Sequence, residues 1–95
     1  SQMSHIISNG FVQSDTALKH SGFTGGSYKD LTRVAWLNAP MWAELFLDNK
    51  KNVLSELDRF IDTLTAYRDA INDDDAEKLT ALLEEGKRRK AELDN

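Results

Sequence analysis

The stretch PMWAELFLDNKKNVLSELDRFIDTLTAYRDAI, residues 40–71, decides the fold class of this chain. Proline is favoured in the first turn of a helix, so Pro40 predicts a helix start, with Asn38 or Ala39 as the cap. The pattern predicts one unbroken helix of about 30 residues, roughly 45 Å long at 1.5 Å per residue. Its apolar residues follow the three-and-four spacing of one helical face: Met41, Trp42, Leu45, Phe46, Val53, Leu57, Phe60, Ile61, Leu64 and Ile71.

Two short helices, with a turn and a loop between them, are predicted before this helix. Residues 4–12 carry apolar side chains at roughly helical spacing and predict a short helix. Asp15 can cap a short turn that runs through Leu18 and His20. A glycine-rich loop is predicted next, from the glycines at positions 22, 25 and 26. Ser27 is placed to cap a two-turn helix over residues 28–35.

The long helix is predicted to end at the polar run of residues 72–75. Asp74 and Glu77 have the spacing of a capping box, which predicts that a last helix starts there. That helix carries Leu79, Leu82, Leu83 and Leu93, and a basic run over residues 87–90 lies in its last turns. Because no segment alternates apolar and polar residues in the manner of a strand, the predicted fold class is all-α.

A helix this long exposes more apolar surface than a 95-residue chain can cover. A second copy is the natural source of the missing surface. We therefore expect a helical dimerisation domain with one long central helix in an intertwined two-fold dimer. A monomeric helical hairpin bundle is the alternative.

Composition limits the function classes. Twelve basic and 16 acidic residues give a net charge of −4, which argues against nucleic acid or an anionic membrane surface as a partner. The chain has no cysteine and no apolar run of membrane-spanning length, and we expect a cytoplasmic protein. Residues 1–3 resemble a cloning remnant. Residues 4–95 are predicted to form a single domain.

The most informative polar stretch is GGSYKDLTR, residues 25–33. A helix N-terminus attracts anions, and Lys29 and Arg33 share one helical face. Their mutual repulsion is relieved if a carboxylate or phosphate lies between them, or if Asp30 neutralises Arg33. A solvated helix face is the alternative. The glycine spacing is not that of a dinucleotide-binding loop.

The aromatic and histidine residues give weaker indications of function than the stretch over residues 25–33. Trp36 is expected to pack the corner before Pro40, with a wall around a ring-shaped ligand as the alternative. Neither His5 nor His20 has a partner at metal-ligand spacing, so no metal site is predicted. No catalytic residue is predicted in this chain.

Three runs carry a resemblance to a known family: GGSYKDLTRVA from position 25, APMW from position 39 and LFLDNK from position 45. They resemble the signature of the C-terminal domain of prephenate and arogenate dehydrogenases. That signature has a glycine pair, a basic-Asp-x-Thr-Arg helix and a Pro-Met-Trp corner. It ends in a long helix that begins near Phe-Leu-x-Asn.

The resemblance implies roles for six residues. Arg33 is similar to the arginine that binds a substrate carboxylate, and Lys29 and Asp30 are similar to the ionic network beside it. Gly26 resembles a glycine that lines the substrate pocket, and Trp42 a tryptophan that reaches the cleft. His5 resembles one of the two histidines of a Ser-His-x-x-His run.

The resemblance also implies an activity. The family oxidises and decarboxylates prephenate or arogenate, in tyrosine biosynthesis, with NAD or NADP held by a nucleotide-binding N-terminal domain that is missing here. This chain would supply the homodimer interface and substrate binding, with tyrosine as an inhibitor, and would be inactive and bind no cofactor alone. The alternative is a stand-alone helical interaction or regulatory module that binds a small aromatic effector.

Overall fold

A computed structural model describes residues 2–13 and 25–94, with the backbone alone for residues 25–28. Every regular element in those residues is helical, so the predicted all-α class is confirmed. The elements are α1 (Gln2–Val12), α2 (Gly25–Thr32), a 3-10 turn (Arg33–Ala35), α3 (Ala39–Asp48), α4 (Lys50–Asn72) and α5 (Ala76–Leu93). The predicted turn after Asp15 and the glycine at position 22 lie outside the described residues.

The predicted continuous helix after Pro40 is wrong at one position, Asn49. Helix α3 ends before this residue and α4 begins after it, with Asn49 at φ −110° and ψ 30°. The backbone hydrogen bonds continue through the interruption, since Asn49 N–H donates to Leu45 O at 3.1 Å and Val53 N–H donates to Asn49 O at 3.0 Å. Asparagine is a weak helix former, because its side chain competes with the backbone for hydrogen bonds.

The start of α3 follows the sequence closely. Asn38 is the cap, and its side chain accepts a hydrogen bond from Met41 N–H at 3.2 Å. Pro40 lies in the first turn. Its missing N–H removes no helical hydrogen bond there, because the first four N–H groups of a helix have no partner within it.

Helix α2 begins earlier than predicted. Gly25 and Gly26 belong to its first turn rather than to a loop, and Ser27 lies inside the helix instead of capping it. The predicted helix over residues 28–35 is α2 followed by the 3-10 turn. Glycine costs little in a first turn, where few intrahelical hydrogen bonds depend on the backbone.

The turn between α4 and α5 corrects the predicted capping box. Asp74 has a positive φ of 53°, and its N–H donates to Ile71 O at 3.2 Å. Asp75 N–H donates to Ala70 O at 2.9 Å, which completes a Schellman motif. Asp75 also caps α5, accepting from Lys78 N–H at 3.0 Å. Because Asp74 takes part in the turn that ends α4, Asp75 rather than Asp74 caps α5.

The chain divides into two compact units, Ser1–Leu57 and Asp58–Asn95. In the first unit, α1 packs on α2 and on the 3-10 turn, and Ser8 is the buried residue of α1. In the second unit, Tyr67 Oη donates to Leu82 O at 3.3 Å, and Ala70 is buried. Among the described side chains, Ala70 is the sole apolar one that is fully buried.

Candidate functional site

Three aromatic rings meet between α1 and α3, in the first unit. His5 stacks on Trp42 with ring centroids 3.8 Å apart and an angle of 23° between the planes. Phe46 contacts the same indole in a tilted arrangement, at 5.7 Å and 45°. Trp42 and Phe46 are four residues apart and therefore project from the same face of α3. That face supplies one wall of a cleft.

This ring cleft has a volume of about 370 Å³. Besides the three rings, it is lined by Ile6, Asn9, Gly10, Gln13, Leu37, Ala39 and Ala43. Most of this lining is apolar, and the polar exception is a pair of amides in which Gln13 Nε2 donates to Asn9 Oδ1 at 2.9 Å. A mostly apolar cleft with a few polar groups is suited to a small ligand that contains a ring.

Gly10 lies on α1 and lines the ring cleft. A Cβ atom built on Gly10 would meet no other atom within 4 Å. The space around this position is therefore open, and a Cβ atom fits there without a clash.

The structure brings together two of the predicted site residues, His5 and Trp42, and separates them from the predicted cations. Lys29 and Asp30 lie on α2, Arg33 opens the 3-10 turn, and all three are exposed. None of the three lines the ring cleft, and no ion pair joins them within the described part of the chain. The anion site around Arg33 stays a prediction. Gly26 is described as backbone only, inside α2.

Trp36 does not pack the corner before α3, which corrects the expectation from the sequence. Its side chain is 94% exposed in the single chain. The residue lies in the extended segment between the 3-10 turn and α3, at φ −69° and ψ 115°, and it borders a surface pocket with Val12, Thr32 and Ala35.

Sequence reasoning missed several residues of this region. Phe46 carried a signal, because it lies one helical turn after Trp42, but its pattern was equally that of a core residue. The sequence did not indicate that Asn49 contacts Gln2, which is 47 positions away. In the structure, Asn49 Nδ2 donates to Gln2 Oε1 at 3.0 Å. Ser8 is 1% exposed, and its hydroxyl has no hydrogen-bond partner among the described residues.

The charges of α5 form a separate network in the second unit. Arg88 is hydrogen-bonded to Glu85 and Glu92, and Arg89 Nε donates to Glu85 Oε1 at 2.9 Å. The hydrogen bonds from Arg88 and then Arg89 lower the pKa of Glu85 to about 2, and Glu85 raises the pKa of Arg88. Because these charges satisfy one another on an exposed helix, they are better placed to stabilise α5 than to bind a ligand.

Two features are absent from the described residues. No group of three or more metal-ligating side chains occurs among them. None of the helices over residues 2–13 and 25–94 combines the length and the apolar character needed to cross a membrane.

Comparison with known families gives a match over residues 1–85, to the family described as prephenate dehydrogenase, dimerization domain. The chain belongs to this family. The match covers α1 to α4, including the ring cleft and the exposed cations of α2 and the 3-10 turn, together with the first half of α5. The resemblance noted in the sequence is confirmed, and it extends to residues 1–3, which were set aside as a remnant.

Two curated relatives support the assignment to the prephenate dehydrogenase family. A prephenate dehydrogenase from Bacillus subtilis (strain 168) is 33% identical over 57 residues, which is 60% of this chain and 15% of the relative. A cyclohexadienyl dehydrogenase from Zymomonas mobilis subsp. mobilis is 32% identical over 71 residues, which is 75% of this chain and 24% of the relative. The chain thus spans less than a quarter of the length of either. No solved structure matches significantly.

Proposed function

We propose that this chain is the dimerisation and substrate-binding part of a longer NAD- or NADP-dependent prephenate or arogenate dehydrogenase, and that it is inactive alone. Membership of a dimerization-domain family supports the proposal, as does the greater length of both relatives. The observation that carries it is the exposure of large apolar side chains in each of the two units.

The first unit leaves several such side chains in solvent. Leu47 is 73% exposed, Trp36 even more so, and Met41 and Leu54 are about half exposed. Apolar side chains of this size gain about 1.5–3 kcal/mol each from full burial. A surface that carries several of them is typical of an interface.

The second unit also exposes large apolar side chains. Ile61 and Leu64 are 51% and 49% exposed on α4, and Ile71, Leu83 and Leu93 are more exposed still. Ile61 and Leu64 are three residues apart, so they form one patch on a helical face. A second copy of the chain supplies matching apolar patches, and a closed two-fold dimer is the simplest assembly that buries both sets.

The experiment that tests the homodimer compares solution mass with and without this patch. We expect sedimentation equilibrium to give twice the chain mass for the parent protein. We expect a single-chain mass for the double variant Ile61→Glu/Leu64→Glu, whose helix content should persist because both sites are half exposed. Ser55→Glu, an exposed polar site on the same helix, is the matched control and should stay dimeric. A parent protein with the mass of one chain would refute the homodimer.

For the substrate, the proposal assigns two tasks to this chain. The ring cleft beside His5 and Trp42 would hold the ring of the substrate, and Arg33, supported by Lys29 and Asp30, would bind a carboxylate. The ring cleft is formed by one chain, whereas Arg33 lies outside it and is exposed. The proposed site therefore needs a neighbouring surface, from the second copy or from another part of the longer protein, to bring the guanidinium group to the ligand.

The dinucleotide does not fit the residues described. A nucleotide-binding unit needs a strand, a glycine-rich turn and a helix in succession. The described residues contain no strand, and Gly25 and Gly26 lie within a helix. Hydride transfer to the dinucleotide would take place in another part of the longer protein, and this chain would hold and orient the substrate.

One observation favours a second candidate, a stand-alone module that binds a small aromatic effector. The ring cleft is complete within a single chain and contains no predicted cation, which suits a ring better than a dianion. Isothermal titration of the isolated chain with prephenate and with tyrosine separates the two. Tyrosine binding that is unchanged by Arg33→Ala would favour the module, whereas prephenate binding that depends on Arg33 would favour the dehydrogenase.

A further inference from the structure

One side-chain hydrogen bond ties the start of α1 to the junction of α3 and α4. The Nδ2 atom of Asn49 donates to Oε1 of Gln2 at 3.0 Å, in partly buried surroundings. The other end of the same amide is also used, since Oδ1 of Asn49 accepts from Nδ2 of Asn52 at 3.0 Å. We call the Asn49–Gln2 contact the amide bridge. Both polar atoms of the Asn49 side-chain amide are therefore hydrogen-bonded.

The amide bridge lies close to the ring cleft along both helices. Gln2 precedes His5 by three residues, which is less than one turn of α1. Asn49 follows Trp42 by seven residues, or about two helical turns. The bridge and the stacked rings therefore join the same two parts of the first unit, so a shift of α1 along α3 would break both contacts at once.

Asn49 is otherwise an unfavourable residue for this position. Asparagine is among the weaker helix formers, and here it interrupts a run that otherwise keeps helical hydrogen bonding. A good helix former such as leucine would join α3 and α4 more smoothly, but it could not donate a hydrogen bond to Gln2. What the side chain contributes is thus a contact between elements rather than local helix stability.

We infer that Asn49 is a positioning residue, which fixes α1 against α3 so that the imidazole of His5 stays stacked on the indole of Trp42 and the ring cleft keeps its shape. Asn49 does not line the ring cleft and acts through these two rings. The ligand of the cleft rests on the proposed function, but the positioning role does not. It can be tested without any ligand.

The test follows the ring protons of His5 by NMR. A proton that lies over the face of an indole is shifted upfield by the ring current, so the 3.8 Å stack gives His5 a signature that depends on its geometry. The chain has two histidines, and His20→Gln assigns the signals. We expect the parent protein to show upfield His5 ring protons at a pH where imidazole is neutral.

Two variants change the side chain at position 49, and a third variant, at position 52, is the control. Asn49→Leu keeps the size of the side chain and removes the amide bridge, and we expect its His5 signals to move most of the way to those of free histidine. Asn49→Asp should keep the stack, because the Gln2 amide can turn and donate to the carboxylate. Asn52→Leu removes only the other hydrogen bond of Asn49 and is the matched control.

The outcomes are distinct. Upfield His5 signals that persist in Asn49→Leu would overturn the inference, as would an equal loss in Asn52→Leu. If Asn49→Leu fails to fold, Gln2→Leu breaks the bridge from its other end and takes its place. A folded Gln2→Leu protein with an intact stack would also overturn it. Since no ligand or dimer is measured, failure here is separate from failure of the proposed function.

Discussion

Asp74 holds a backbone conformation that most side chains avoid. Its φ of 53° lies in the left-handed region, where it ends α4 through the two backbone hydrogen bonds of the Schellman motif. Glycine is the usual residue at this position because a Cβ atom is crowded there. Aspartate tolerates the conformation better than most residues, but not without cost.

We expect Asp74→Gly to stabilise the protein by about 0.5–1 kcal/mol, since relief of the crowded backbone exceeds the added freedom of the unfolded chain. Chemical denaturation at fixed protein concentration measures the change. Asp73→Gly is the control, because Asp73 has no positive φ, and it should be neutral or destabilising. Stabilisation by both variants, or by neither, would contradict this account of the turn.

Arg33 is the residue on which the proposed substrate site depends most. In the proposed longer dehydrogenase, we expect Arg33→Ala to weaken prephenate binding by about 2–5 kcal/mol, the usual cost of removing one partner from a desolvated charge pair. The dimer should persist. Titration calorimetry and solution mass measure the two effects, and Arg68→Ala, at an exposed arginine bonded to Asp69, is the control. Loss of the dimer with unchanged affinity would contradict the assignment.

At the scale of the elements, the helices were predictable where the cause is local. The cap of α3 follows from Asn38 and Pro40, and the break after α4 follows from its run of aspartates. The interruption at Asn49 could not be predicted in this way, because its side chain is held by Gln2, which is distant in sequence. The early start of α2 was missed because a glycine pair predicts a loop unless neighbouring elements hold it helical.

The same limit applies to the candidate site. His5 and Trp42 were singled out from a resemblance, which carries information about positions but not about distances. Their stacking is a property of how α1 and α3 pack, and nothing in the spacing of the two residues encodes it. Local helix geometry made Arg33 a candidate for anion binding, with a solvated helix face as the alternative, and Arg33 is exposed in the single chain.

The ion pairs of α5 predict a pH dependence. The lowered pKa of Glu85 means that its contribution to helix stability is present above about 4.5 and is lost as the pH falls toward about 2. Because the pairs are exposed, the contribution is small and decreases with salt. We expect carboxyl titration by NMR to show the low pKa of Glu85, and 1 M salt (Debye length about 3 Å) to raise it.

Two variants separate the partners of Glu85. The hydrogen bond from Arg88 contributes more to the shift than that from Arg89. Arg88→Met should therefore raise the pKa of Glu85 further than Arg89→Met does. Equal effects, or a larger effect from Arg89→Met, would show that Arg88 is not the main partner in solution.

At the scale of the whole molecule, stability should depend on protein concentration. In the proposed dimer, the buried interface would add to the stability of each folded chain, so mass action would favour the folded protein as concentration rises. We expect the melting temperature to increase with each tenfold rise in concentration, as measured by calorimetry. The Ile61→Glu/Leu64→Glu variant should lose this dependence. A melting temperature that is constant in the parent protein would argue for a chain that is stable by itself.

The exposure of Trp36 gives the molecule an optical reporter of its own assembly. An indole in water emits at longer wavelength than one shielded by protein, so any surface that covers this corner will move the emission toward the blue. Trp42 is partly buried and lines the ring cleft, so a Trp42→Phe variant isolates the emission of Trp36. The emission wavelength can thus show whether dilution uncovers this corner, and whether an added ligand or domain covers it, with no label attached to the protein.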